Sequence, residues 1–211
     1  MNSPVPSPAS GPTLPAPRDD LCLDFANTRY WRGSDPATET LHDPVGLLAW
    51  VRSSGSVDPA LLARLEAAWR DWPDTAGPAF GQAIVLREAL YAVFATLTAG
   101  AEPSVADLDT VNAALRRTPA RTTLDRRDGR FVWRLGPADA VDGLLAPVLW
   151  SAGDLLSGTR LGRVRRCAND RCGWLFLDDS KSANRRWCSM SQCGNRAKAH
   201  RHYAKRRQAE G

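Results

Sequence analysis

Four cysteines near the end of the chain constrain it most: Cys167, Cys172, Cys188 and Cys193. Their spacing is C-x4-C, fifteen residues, then C-x4-C. Two close pairs separated by a hairpin's length of chain can wrap one tetrahedral ion. Zn2+ accepts four thiolates at about 2.3 Å and then needs no other ligand. The competing readings are two disulfides or plain buried thiols. The stretch Met1 to Pro17 has neither the basic nor the apolar segment of a secretory signal. A cytoplasmic location is therefore expected, where thiols stay reduced and clustered cysteines mean metal. One structural zinc on these four residues is the expectation. The fifth cysteine, Cys22, stands among apolar residues and reads as a small buried hydrophobe.

Charge is distributed unevenly. The 211 residues carry a net +5. From Arg160 to Gly211 there are 14 Lys and Arg against 4 Asp and Glu, a net +10; the residues before them carry 14 against 19, a net −5. A mildly acidic body thus bears a basic C-terminal module, which suits a polyanionic partner; the plainer reading is a solvated basic face. No apolar run approaches the ~20 residues needed to span a bilayer, so no membrane partner is expected.

Residues 1–17 hold six prolines and little that could pack, and are expected to be disordered. Residues 18–159 read as a mostly helical body. Leu21 to Thr28 suits a short helix. Asp43-Pro44 and Asp58-Pro59 each pair an N-cap with a favoured first helical residue. Pro78 to Thr98 is apolar around much of its circumference and predicts a central helix. Ser104 to Asp107 resembles a capping box. Between Arg121 and Leu135 the apolar period changes to two around Asp128-Gly129, which is a hairpin signature. A last helix is expected over Ala140 to Leu156, kinked at Pro147. The body is large enough to bury a core without metal.

Gly158 to Gly162 marks the expected boundary with a module at 160–211. Its order is knuckle, strand pair, knuckle, then a helix from Asn195 to about Gln208. That order is treble-clef-like, with the last ligand at the first helical turn. With few apolar residues, the module should need zinc to fold, while the body keeps its helices when metal is removed. The fold class is accordingly a mainly α N-terminal domain with one β-hairpin plus a small α+β zinc finger.

Cys193-Gly194-Asn195-Arg196, with Ser180, Asn184 to Met190 and Lys198, resembles the CGNR zinc-finger family. Upstream, Leu21-x-Leu23-Asp24-Phe25-x-Asn27-Thr28 resembles the start of the helical ABATE domain that precedes such fingers. The resemblance implies a bacterial, stress-induced or ligand-responsive transcription regulator, in which the helical domain binds a small-molecule effector and the finger binds DNA. It also carries the zinc ligands over to the four cysteines.

The residues themselves offer candidates for each role. Arg196, Lys198, Arg201, Lys205, Arg206 and Arg207 lie on the last helix, which could enter a major groove, and Arg185 and Arg186 precede it as phosphate contacts. Arg196 could equally brace the finger through Asp178 or Asp179. Trp174, Phe176 and Trp187 read as the finger's small core ahead of base-stacking groups. His200 and His202 read as surface residues, because four thiolates complete the tetrahedron. Asp24, Asn27 and Arg87 are polar groups set among apolar ones and are candidate pocket residues; the plainer reading is local capping for the first two and pairing with neighbours for Arg87. No catalytic motif is present, so an enzyme is not expected. A zinc-stapled protein-interaction or RNA-binding module is the alternative function, and a homodimer, a cytoplasmic nucleoid location and a DNA partner complete the expectations.

Overall fold

The computed structural model describes residues 13–14, 17–127, 129–134 and 140–199. Helices dominate. In chain order they are α1 (Leu21–Ala26), α2 (Pro44–Ser54), α3 (Pro59–Asp71), α4 (Pro73–Thr98), α5 (Val105–Arg117), α6 (Ala140–Leu144) and α7 (Ala146–Ser157). The start signals act as capping chemistry demands. Asp43 accepts from the Gly46 amide at 2.7 Å, Asp58 from Ala60 at 2.7 Å and Ser104 from Asp107 at 3.1 Å. Gly55 closes α2 in the left-handed conformation, φ 62°.

Two prolines behave differently from expectation. Pro78 does not open the central helix: α3 stops at Asp71, and α4 starts at Pro73 and carries Pro78 inside it. Pro147 does more than kink the last helix. The chain breaks at Leu145, and Pro147 lies in the first turn of α7, where its missing N–H costs nothing.

The strands are short. The expected hairpin forms from β4 (Thr123–Arg127) and β5 (Arg130–Arg134), with Gly129 at φ 79° in the turn. Its second strand also pairs with β1, Thr13–Leu14, which lies in the segment expected to be disordered. A second antiparallel pair, β2 (Arg29–Tyr30) with β3 (Thr38–Glu39), follows α1. The third pair, β6 (Val164–Arg166) with β7 (Leu175–Leu177), carries the first cysteine pair in its connection.

Helix α4 is the hub and packs against α1, α2, α3, α5, β6 and β7. By length and composition it could cross a bilayer, contrary to the expectation that no stretch would. Its Leu86, Leu90, Val93 and Phe94 are instead buried in this fold, and Arg87 sits buried among them.

The boundary near residue 160 is not a seam in the packing. All three residues of β7 are buried, and strand alternation sends them two ways. Leu175 and Leu177, with Val164 of β6, join the helical core. Phe176 joins a second cluster with Cys167, Cys172 and Cys193, against which Trp31, Trp174 and Trp187 pack. One strand thus forms a wall of both cores, where separate folding of body and module was expected.

Candidate zinc centre and its docking onto the helical domain

The four cysteine sulfurs converge within 4.8 Å of one another. Cys172 Sγ lies 3.7 Å from Cys188 Sγ, which lies 3.8 Å from Cys193 Sγ. A tetrahedron with metal–sulfur bonds of about 2.3 Å has edges of about 3.8 Å, so the sulfurs fit one zinc ion. All four are free thiols, which removes the disulfide reading. Hydrogen bonds from the neighbouring thiols lower Cys167, and the same bonds raise Cys172 and Cys188 above their ordinary range. A cluster this crowded accommodates several thiolates readily when a divalent cation sits between them. With all four positions taken by sulfur, the ion offers no site for water and serves as a structural staple.

Local backbone bonds shape the two knuckles. The Cys167 amide donates to Trp174 O at 2.8 Å and that of Cys172 to Asn169 O at 2.8 Å. Asn169 Nδ2 points at Cys193 Sγ, 3.6 Å away. The Ala168 amide donates to Arg186 O at 2.8 Å and ties the first knuckle to the second. Cys193 lies in a π-helical turn, Met190–Gly194, that runs into helix at 195–199. Buried Asp178 accepts from the Ser180 hydroxyl at 2.6 Å and from the Ser180 and Arg185 amides at 3.0 and 2.8 Å, which hold its carboxyl below the usual range.

The helical domain grips this centre at several points. Asn27 is 3% exposed and behaves as one rung of a β ladder. Its Nδ2 donates to Leu175 O at 2.7 Å, and its Oδ1 accepts from the Leu175 amide at 3.0 Å. The amides of Arg32 and Gly33 donate to Cys172 O at 3.3 Å and Arg171 O at 3.2 Å. Gly33 approaches so closely that a Cβ there would lie 1.9 Å from Asp170 O. Trp31 holds the left-handed conformation, φ 51°, with its ring packed against the cysteine cluster. Tyr91 of α4 donates to Gly173 O at 2.8 Å.

Arg87 belongs to the same framework. Its guanidinium forks onto Glu39 with two 2.6 Å contacts and reaches Glu88 at 2.9 Å. Glu88 receives Arg32 at 2.7 Å, and Arg32 lies over the Tyr91 ring, 3.7 Å from its centroid. A continuous chain of charges therefore runs from β3 through α4 to the first knuckle. Burial alone would raise Glu39 and Glu88, but the arginines outweigh it and both carboxyls are lowered.

The three candidate pocket residues separate. Asp24 and Asn27 line one open cavity of about 580 Å³ with Arg18, Tyr30, Trp50 and Trp174. Arg87 does not line it. Cys22 is fully buried, and burial pushes its thiol up to about 12, as a small apolar residue would show.

The cationic candidates divide as well. Arg185 and Arg186 are exposed, but Arg185 donates to Trp187 O at 2.9 Å and to Cys188 O while its guanidinium lies 4.6 Å from the Phe176 ring centre. Arg186 lies 5.4 Å from the Trp187 ring centre. Arg196 braces the finger, though against Trp31 at 4.7 Å and not against an aspartate. Lys198 is exposed. His200, Arg201, His202, Lys205, Arg206 and Arg207 lie outside the described residues. Among the described residues, Arg166, Arg171, Lys181, Arg185, Arg186, Arg196 and Lys198 form no ion pair. The helical domain pairs Arg18, Arg29, Arg32, Arg52, Arg87, Arg117, Arg121 and Arg134 with carboxylates, whereas its Arg64, Arg70 and Arg116 form no ion pair among the described residues.

Sequence reasoning missed Trp31, Arg32, Gly33 and Tyr91 as supports of the centre. The one local signal was a compact Tyr30-Trp31-Arg32-Gly33 run directly after the motif that contains Asn27.

Two family models match this chain in tandem. The ABATE model, described as "Putative stress-induced transcription regulator", matches residues 19–159, and the CGNR zinc finger model matches residues 163–206. No curated protein matches the chain.

Proposed function

The chain belongs to the ABATE family, and from that premise we propose that it is a stress-induced transcription regulator that binds DNA through its zinc finger and adjusts that binding to a small molecule held by the helical domain. The observation that carries DNA binding is the contrast in charge pairing: among the described residues the finger's arginines and lysines lack carboxylate partners, except Arg160, which pairs with Asp19 and Asp179. Unpaired cations on a basic module are available to phosphates, and each phosphate contact releases condensed counterions. Zinc fixes the turn at Cys193 and so aims Arg196, Lys198 and the residues that follow. Lys205, Arg206 and Arg207 extend the same basic stretch in sequence. In this reading the protein acts in the cytoplasm on the nucleoid.

Sensing is supported by the position of the cavity. Trp174 lines it and also accepts the Cys167 amide; Asn27 lines it and also carries Leu175. A molecule bound there touches Asn27, one of the residues that join the helical domain to the finger, and Trp174, which braces the first knuckle. Neither family is an enzyme family, and the proposal assigns the chain no reaction.

The test is a gel shift of the full zinc-loaded chain on genomic DNA fragments across a salt series. Affinity should fall steeply with salt, and Arg186→Glu with Lys198→Glu should weaken binding to all sequences and flatten the slope by about two. Absence of any shift at low salt overturns the DNA reading.

A further inference from the structure

The cavity has a chemical bias. Its aromatic walls are Trp50, Trp174 and Tyr30, the last two meeting edge to face with ring centres 6.0 Å apart. Four of its hydroxyls are committed as donors, and the Tyr30 hydroxyl is not. Thr28 donates to Phe25 O at 2.8 Å, Thr40 to Thr28 O at 2.5 Å, Ser53 to Trp50 O at 2.8 Å and Ser54 to Val51 O at 2.7 Å. A hydroxyl has one proton, so each of these oxygens can offer the cavity only lone pairs.

Charge at the mouth points the same way. Asp24 lines the cavity and is paired with Arg18, which lies 3.8 Å from Asp20 as well. Two carboxylates therefore share one guanidinium, leaving a net negative charge. Burial raises the Asp24 carboxyl even with Arg18 beside it. Arg18 is 60% exposed and sits on the segment leading into α1, so a ligand can displace it without disturbing the core.

Resting on the reading that this domain holds a small molecule, we propose that the cavity binds an organic cation with an aromatic or apolar body, whose charge replaces the Arg18 guanidinium on Asp24. Aromatic faces attract cations through their quadrupoles, Trp most strongly, and lone pairs and a carboxylate do the same. An anion would meet all three as repulsion, and the one cation in the lining, Arg18, is already held by Asp24 and Asp20. A volume of about 580 Å³ accommodates a ligand well beyond a simple amine.

The experiment titrates the full zinc-loaded chain calorimetrically at low salt with benzyltrimethylammonium, phenylacetate and benzyl alcohol. These probes share an aromatic body and differ in charge. The cation should bind saturably and about tenfold or more tighter than either of the others. Asp24→Asn should weaken it by about tenfold, and Arg18→Ala, which removes the competitor, should tighten it. Circular dichroism confirms that both variants fold; if Asp24→Asn does not, Arg18→Ala alone decides. Phenylacetate binding as tightly as the cation, no cation binding up to about 10 mM, or indifference to both substitutions overturns the proposal. The sensing reading fails separately. A cation that binds without changing DNA affinity refutes sensing and leaves the site intact, whereas an anion that binds and changes DNA affinity refutes the ligand class and keeps sensing.

Discussion

Asn27→Leu removes both polar atoms that join the helical domain to β7 while keeping a side chain of similar size. The Leu175 amide and carbonyl, now bonded at 3.0 and 2.7 Å, lose their partners in a buried setting. Each buried unsatisfied group costs about 1–3 kcal/mol, and partial relaxation should leave a total loss of about 2–4 kcal/mol. Leu175 lies three residues after Cys172, so the loss also reaches the metal. A shift of about 1.4 kcal/mol is tenfold in an equilibrium constant, so zinc affinity should fall by at least about tenfold. The assay is urea unfolding of the zinc-loaded chain, followed by far-ultraviolet circular dichroism for the helices and by a chromophoric chelator for released zinc. Both curves should move to lower urea together. A variant within about 0.5 kcal/mol of the parent refutes the reading of Asn27 as a structural joint. A shift in zinc release alone, with the helices unmoved, would show that the finger is a passenger on the body.

Other perturbations probe the same interface. Gly33→Ala places a methyl 1.9 Å from Asp170 O, so the loop must leave the first knuckle; the thermal midpoint and zinc affinity should both drop, while Gly162→Ala, with nothing within 4 Å of its Cβ, should change neither. Glu39 and Glu88 titrate below the ordinary carboxylate range in the folded chain. Their contribution is present above the unfolded pKa and is lost as pH falls through the lower folded value. Urea midpoints should therefore decline below about pH 4, and Glu39→Gln should flatten that decline.

Local signals in the sequence located the elements well. Aspartate before proline marked the starts of α2 and α3, and the change to period two around Gly129 marked the β4–β5 hairpin. The cysteine spacing identified the metal centre, because ligands in close pairs are a local pattern. What escaped was set by long-range pairing. Asn27 and Leu175 are 148 residues apart, and nothing near either one shows that a side-chain amide completes a backbone ladder. Arg87 and Glu39 are separated by 48 residues, so pairing with neighbours could be expected of Arg87 but its partner could not be named, and a pocket role stayed open beside it. Trp31 has a left-handed backbone that no neighbouring residue calls for; the fit of its ring against the cysteine cluster explains it. The alternation along β7 was visible as Leu-Phe-Leu, but its two faces acquire meaning only when both cores are known.

That shared strand decides what metal removal does. If the finger were a separate unit, chelation would unfold it and leave the helices as they were. Here Val164, Leu175 and Leu177 are each less than 8% exposed and belong to the helical core. Releasing them uncovers α1 and α4. At about 1.5–3 kcal/mol for each fully buried aliphatic side chain, the helices stand to lose about 5–9 kcal/mol. A domain of this size is stable by about 5–15 kcal/mol in total, so little would remain. Zinc-chelated protein should thus melt in one transition at a much lower temperature, with helical signal lost from the α1–α4 body as well as the finger. Adding zinc back should restore one high-temperature transition. If the chelated chain kept its helical signal and its melting temperature, β6 and β7 would either hold their place without metal or contribute nothing to the core. Leu175→Ala in the chelated chain separates the two: a loss of about 2–5 kcal/mol in helical stability would mean that β7 is held in the core by Asn27 and its apolar packing without metal, and no loss would mean that it contributes nothing.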